Sequence, residues 1–79
     1  MEGQFQLDWQ AIVKTAIKRR KESRLTQKQL AALVGVSTPT VNRFERQKKN
    51  ITLESAFAIL EILGLLKKQK SQELELKKF

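Results

Sequence analysis

The sequence predicts an all-α fold, a compact domain of four to five helices. Apolar residues recur at spacings of three and four almost everywhere up to residue 66, as on one face of a helix. Capping residues precede these apolar runs, and a length of 79 residues suits one small domain. We therefore expect a domain at residues 9–66, an N-terminal segment at 1–8 and a basic tail at 67–79.

The first two predicted helices have clear start signals. Asp8 is a good N-cap for the first helix. Thr26 and Gln29 form a capping box, in which each side chain bonds the backbone N–H of the other residue. The second helix ends at Gly35, because glycine tolerates a left-handed backbone. The apolar face of the first helix comprises Trp9, Ile12, Val13, Ala16 and Ile17.

A third helix begins almost at once after this glycine. Pro39 suits the first turn of a helix, where its missing N–H does no harm. Proline disfavours helical backbone in the residue before it, so either Ser37 or Thr38 is the cap. Val41 and Phe44 face inward from this helix, which leaves mainly polar side chains outside.

Thr52 caps the fourth predicted helix, which ends at Gly64. Ile59 and Ile62 widen its apolar stripe beyond what a small core needs, so they indicate a further packing element or a partner surface. The stripe itself comprises Leu53, Ala56, Phe57, Leu60 and Leu63.

Both ends of the chain alternate polar with apolar residues. The segments 4–7 and 73–76 have this strand pattern, and each is too short to be stable alone. We expect a small two-stranded pairing of the termini that covers part of the apolar excess at Ile59 and Ile62, within one chain or between two chains. The alternative is that both termini are frayed.

Composition excludes several classes of function. The chain has no Cys and no His, so structural zinc and histidine-assisted catalysis are not expected, and we predict neither enzyme activity nor a cofactor. No apolar run approaches a membrane span, and the start Met1-Glu2-Gly3-Gln4 does not resemble a signal peptide. We expect a cytoplasmic protein.

The positive charge is concentrated in the middle of the chain. The sequence has 16 Lys and Arg against 8 Asp and Glu, a net charge of +8. Residues 14–49 contain eleven of the basic residues and only two Glu. Such a zone suits a polyanion such as nucleic acid, while the alternative is a solvated surface that keeps the protein soluble.

The segment from Gln27 to Arg46 reads as helix, tight turn, helix. It resembles the xenobiotic-response-element or lambda-repressor-like family of bacterial and phage regulators, and the similarity covers roughly residues 9–66. The matching runs are Leu25-Thr26-Gln27-Lys28-Gln29-Leu30-Ala31, Val34-Gly35-Val36-Ser37 and Val41-Asn42-Arg43-Phe44-Glu45-Arg46. The resemblance implies a DNA-binding domain whose recognition helix, about 38–46, enters the major groove.

The resemblance also implies roles for individual residues. Arg43 is the best candidate to read a base, because a guanidinium can bond guanine bidentately; the alternative is a phosphate contact. Positions expected to face bases are Thr38, Pro39, Thr40, Asn42 and Arg43. Positions expected to contact phosphates are Gln27, Lys28, Arg46, Lys48, Lys49 and Asn50.

Several of these residues have alternatives or depart from the family pattern. Gln27 is expected to brace the recognition helix as well, although it is also simply a good helix former. Glu45 resembles a structural residue of the family. Pro39 replaces a hydrogen-bonding residue, which implies apolar readout there. Gln47 occupies a position where glycine is common in the family. The direction in which the following loop, with Lys48 and Lys49, points therefore depends on whether the φ of Gln47 is positive.

Three hypotheses follow. The first is a sequence-specific regulator of double-stranded DNA, a repressor that acts as a homodimer on two half-sites. The second is the DNA-binding antitoxin of a toxin–antitoxin pair, with a toxin or another protein as partner. The third, an RNA-binding module, is disfavoured because the aromatic residues are scattered and form no stacking platform.

Overall fold

The computed structural model describes residues 8–66, and this part of the chain is all-α, as predicted. Its helices are α1 (Trp9–Glu22), α2 (Gln27–Val34), α3 (Thr38–Glu45) and α4 (Leu53–Ile62). None of the helices in residues 8–66 has the length and apolar character needed to cross a membrane. The expected pairing of segments 4–7 and 73–76 lies outside the described residues.

All four helices begin where the capping signals predict. In the capping box of α2, the Thr26 amide donates to Gln29 Oε1 at 2.8 Å, and the Gln29 amide donates to Thr26 Oγ1 at 3.0 Å. Ser37, not Thr38, caps α3, and Pro39 lies in the first turn. The structure confirms these predictions. They could be made from the sequence because a cap depends on residues within one helical turn. The capping residues are Asp8, Thr26, Ser37 and Thr52.

Each helix is followed by a residue with a left-handed backbone. Gly35 (φ 90°) and Gly64 (φ 77°) occupy two of these positions at no steric cost. The other two carry side chains, Arg24 (φ 60°) and Gln47 (φ 61°). Left-handed residues let the next amides bond the last carbonyls of a helix, so short turns suffice between the helices.

One core connects the four helices. Phe44 of α3 is only 1% exposed, and Trp9 of α1 meets it edge to face, with ring centroids 5.8 Å apart. The remaining buried residues come from every helix and from the end of α4, so all four helices contribute to one core. They are Val13, Ala16, Leu30, Ala31, Val41, Ala56, Ile59, Leu60 and Leu63.

The predicted orientation of α4 was partly wrong. Ile59, assigned to an excess apolar edge, is completely buried, whereas Leu53 (65% exposed) and Phe57 (44% exposed) reach solvent. The buried set Ala56, Ile59, Leu60 and Leu63 follows the spacing of three, one and three that one helix face requires. A helix that is apolar on most sides has no pattern to fix its rotation, so tertiary packing decides it.

Candidate nucleic-acid interface

The α2 and α3 helices form the predicted helix-turn-helix unit. The left-handed backbone of Gly35 turns the chain sharply, and the Thr40 amide then donates to Ser37 Oγ at 3.2 Å to start α3. The two helices pack closely against each other. Their shared core fixes the direction of α3, and it comprises Leu30, Ala31, Val41 and Phe44.

The side of α3 that faces away from the core is mainly polar. Because residues three and four apart share a helix face, four side chains lie opposite Val41 and Phe44. We call this surface the α3 outer face, and it comprises Pro39, Asn42, Arg43 and Arg46. Thr38 and Thr40 flank it and are half-buried. The positions expected to face bases therefore lie on one side of α3 or at its edges.

The hydroxyl of Thr40 is already engaged. Thr40 Oγ1 and Ser37 Oγ are 2.8 Å apart, so the two hydroxyls share a hydrogen bond at the cap of α3. This bond fixes the rotamer of Thr40 and leaves its methyl group available. Thr40 therefore suits an apolar contact, such as one to a thymine methyl, better than a new hydrogen bond.

A largely buried ion pair holds α3 against α1. Arg20 Nε donates to Glu45 Oε2 at 2.6 Å, and Arg20 Nη2 donates to Glu45 Oε1 at 3.2 Å. Only 11% of the Arg20 side chain and 8% of the Glu45 side chain are exposed. Arg20 Nη1 also donates to the carbonyl of Leu25 at 2.7 Å. The pair neutralises the one carboxylate of α3, which would otherwise repel phosphates.

Gln27 extends this ion pair to the outer face. Its Nε2 donates to Glu45 Oε1 at 2.8 Å, and its Oε1 accepts a long hydrogen bond from Asn42 Nδ2 at 3.4 Å. This arrangement agrees with the bracing role that the resemblance implies for Gln27. It also commits one N–H of the Asn42 amide toward α2, while the other N–H and Oδ1 bond no group within residues 8–66.

Sequence reasoning missed the role of Arg20, which it treated as one basic residue among many. A signal was present, because Arg20 follows Val13 by seven and Ala16 by four residues and thus lies on the buried face of α1. A charge on an apolar face needs a buried partner. Its identity, Glu45, is 25 residues away and follows only from the fold.

Arg43 is one of the two cations of the outer face, and the one within α3 itself, since Arg46 is its C-cap. It is half-buried, so its stem lies along the helix. Among the hydrogen bonds and ion pairs found in residues 8–66, none involves the guanidinium of Arg43. Its five N–H donors are therefore not committed to a group in that part of the chain.

The backbone conformation of Gln47 bears on the direction of the loop that follows α3, which contains Lys48, Lys49 and Asn50. Gln47 has a positive φ of 61°, so it adopts the conformation that glycine takes in the family pattern. The Lys48 amide donates to the Arg43 carbonyl at 2.9 Å, and the Gln47 amide donates to the Phe44 carbonyl at 3.1 Å. These two bonds form a Schellman motif that ends α3.

The predicted phosphate contacts lie at both ends of the unit. Lys28 is exposed in the first turn of α2, close to Gln27. Lys48, Lys49 and Asn50 are all exposed in the segment after α3. Cations in these places flank the α3 outer face along the chain, as expected for contacts that position a protein on a duplex.

The comparisons with known proteins agree with this geometry. A helix-turn-helix family model matches residues 17–68. The match begins within α1 and includes α2, α3 and α4, so it contains Arg20, Gln27 and Glu45. The comparison with curated proteins found no match.

The matched segment covers more than half of the 79-residue chain. Domains of this type bind DNA and are typically not enzymes. The tight turn at Gly35 and the polar face of α3 are the features that such domains use to enter the major groove. The chain therefore belongs to the xenobiotic-response-element and lambda-repressor-like helix-turn-helix family of DNA-binding domains.

Proposed function

We propose that this protein is a sequence-specific transcriptional repressor that reads double-stranded DNA with α3 in the major groove. The observation that carries the proposal is the α3 outer face, which offers polar side chains from a helix fixed by the pair of Arg20 and Glu45. A recognition helix must be rigid, because hydrogen bonds to base edges depend on geometry. The cytoplasm is the compartment we expect.

We assign base readout to the first two turns of α3. Arg43 bonds a guanine through two N–H groups, and Asn42 bonds an adenine through its Oδ1 and the N–H that Gln27 does not accept. Pro39 and the Thr40 methyl make apolar contacts, and Thr38 offers a hydroxyl. The guanidinium of Arg43, which bonds no group within residues 8–66, and the shared hydroxyl of Thr40 support this division of roles.

We assign the remaining cations and amides to the phosphates. Lys28 and Gln27 contact the backbone at the start of α2, where helix N–H groups also favour anions. Arg46 is the C-cap of α3, so it lies at the end of the helix that is expected to be farther from the bases. The exposed segment after α3, which contains Lys48, Lys49 and Asn50, contacts the DNA phosphates.

We expect the protein to act as a homodimer. A helix as short as α3 reads few base pairs, and two copies double the contacts. The two half-sites would then lie one helical turn apart, about 34–36 Å.

Selection of duplexes from a random pool tests the proposal. At about 150 mM ionic strength, we expect enrichment of one recurring motif, two-fold symmetric with half-sites about 10 base pairs apart. Transcription from a promoter that contains this motif should fall when the protein is added. Equal binding to enriched and random duplexes would refute sequence-specific recognition, and unchanged or increased transcription would refute repression.

One observation favours the antitoxin as a second candidate. Leu53 (65% exposed) and Ile62 (47% exposed) on α4 are apolar side chains available to a protein partner. An antitoxin would combine such a surface with the same DNA-binding face. A toxin-like reading frame beside the gene, whose product is neutralised by this protein, would support that function, and a product with no binding to this protein would exclude it.

A further inference from the structure

An apolar groove runs between α1 and α4, away from the residues of the helix-turn-helix network. Its volume is about 490 Å³, and its walls include Trp9 and Ile12 of α1 and Phe57 and Leu60 of α4. Phe57 is 44% exposed, although it is one of the largest apolar side chains. An exposed apolar concavity of this kind indicates a surface that another segment covers.

The position of this groove at both ends of the described chain suggests what covers it. Trp9 follows Asp8, the first described residue, and Leu65 and Leu66 are the last two. Trp9, Leu65 and Leu66 all line the groove. Residues 1–7 and residues 67–79 therefore both leave the domain beside the groove, so either segment reaches it without crossing the molecule.

Charge distinguishes the two segments. Glu54 and Glu61 lie three residues before and four residues after Phe57, so both carboxylates flank it on the surface of α4. Residues 50–66 contain no Lys or Arg. Arg19 of α1 reaches the end of α4, but it donates to the Leu63 carbonyl at 2.8 Å and pairs with neither carboxylate within residues 8–66. The segment 67–79 has five Lys and two Glu, whereas the segment 1–7 has only the acidic Glu2. The C-terminal segment is thus the complementary one.

The C-terminal segment also has suitable apolar residues and reach. Leu74 and Leu76 alternate with polar residues, so an extended chain presents both on one side. Leu74 lies eight positions after Leu66, and an extended chain over those eight steps spans about 26 Å. This distance exceeds the width of two helix backbones, each about 5 Å across at the Cα atoms.

We propose that residues 67–79 fold back over their own domain and occupy the groove, with Leu74 and Leu76 against Trp9 and Phe57. The proposal goes beyond DNA recognition and does not depend on it. α1 and α4 pack mainly against α3 and α2 and little against each other. A segment seated between them joins the two helices and stabilises the domain.

The fluorescence of Trp9 reports on the groove, because it is the single Trp of the chain. In the full chain, the double substitution Leu74→Glu and Leu76→Glu should shift its emission to longer wavelength and lower Tm by about 5 °C. Helix content, measured by circular dichroism, should be unchanged. The matched control, Glu73→Gln with Glu75→Gln, alters the other side of the same segment and should leave emission unchanged.

A disulfide test distinguishes the possible occupants, because the chain has no Cys of its own. Thr15 lines the groove, so Thr15→Cys with Leu74→Cys should form a disulfide within a monomer under mild oxidation. The control pair Lys48→Cys with Leu74→Cys should not. A covalent dimer would overturn the proposal by making a second copy the occupant. Absence of both the disulfide and the fluorescence shift would also overturn it, and neither result bears on DNA binding.

Discussion

The α3 outer face and the α1–α4 groove are both surfaces of small helices, but they are supported differently. Behind the outer face, Arg20, Glu45 and Gln27 connect three helices through hydrogen bonds of 2.6–3.2 Å. The groove has mainly apolar walls, and Phe57 lies on it with 44% of its surface exposed. The α3 outer face is held in place by these hydrogen bonds, while the groove lacks a packing partner within residues 8–66.

This difference relates stability to function within a very small domain. Hydrogen bonds are directional, so the network of Glu45 and Gln27 fixes the orientation of a helix that has to match base edges. Apolar contacts are not directional, so the groove tolerates variation in how it is covered. We therefore expect substitutions behind the outer face to have larger effects than substitutions at the groove.

The largest effect is expected from Arg20→Met, which keeps the apolar stem and removes the charge. The Glu45 carboxylate then stays largely buried with Gln27 as its remaining donor. Loss of one partner of such a pair should lower the free energy of unfolding by about 3 kcal/mol. Urea denaturation measures this, and Lys21→Met, at an exposed position of the same helix, should change it by less than about 0.5 kcal/mol.

A double substitution separates the charge from the packing. In Arg20→Met with Glu45→Met both charges are gone, so much of the lost stability should return. If the double variant loses as much unfolding free energy again as Arg20→Met alone, the two residues act independently and the ion pair does not hold α3.

The next effect concerns base readout by the outer face itself. Arg43→Ala should weaken binding to the selected duplex by about 1–3 kcal/mol and change binding to random duplex little. Arg43→Lys keeps the charge but loses the bidentate fork, so it should retain non-specific binding and lose discrimination. Titrations on both duplexes measure this, and equal losses on both would make Arg43 a phosphate contact.

A smaller effect is expected in the loop after α3. Lys48→Ala and Lys49→Ala should each weaken binding on every sequence and reduce the slope of log affinity against log salt by about one unit. Lys14→Ala, at an exposed position of α1, is the control. An unchanged slope would show that the loop points away from the DNA backbone.

Much of the fold was predictable because its signals are local. Caps such as Thr26 and Ser37 depend on residues within one turn, and both begin helices as expected. Gly35 ends α2 for an equally local reason. The helix-turn-helix unit is made of such signals, so the sequence sufficed to locate α3 and the side chains on its outer face.

The parts that escaped prediction depend on contacts between distant residues. Arg20 and Glu45 are 25 residues apart, so nothing near either one reveals the other. The rotation of α4 was misjudged because Leu53 and Ile59 are equally apolar, and only packing against the other helices buries one of them. The orientation of Asn42 likewise follows from Gln27 on another helix.

The smallest expected effect lies at Gln47, where the chain leaves α3. Gln47 has φ 61°, and a residue with a Cβ in this region is less stable than glycine by about 1–2 kcal/mol. Glycine also gains freedom in the unfolded chain, which offsets part of the benefit. Gln47→Gly should therefore raise the free energy of unfolding by about 0.5–1 kcal/mol.

Gln47→Ala is the matched control, since it shortens the side chain but keeps the Cβ, and it should leave stability within about 0.5 kcal/mol of the original. Because glycine preserves the bond from the Lys48 amide to the Arg43 carbonyl, Gln47→Gly should leave the salt slope of DNA binding unchanged. Denaturation and salt titrations of both variants measure these outcomes. A loss of stability in Gln47→Gly would mean that the Gln47 side chain contributes more than its backbone strain costs.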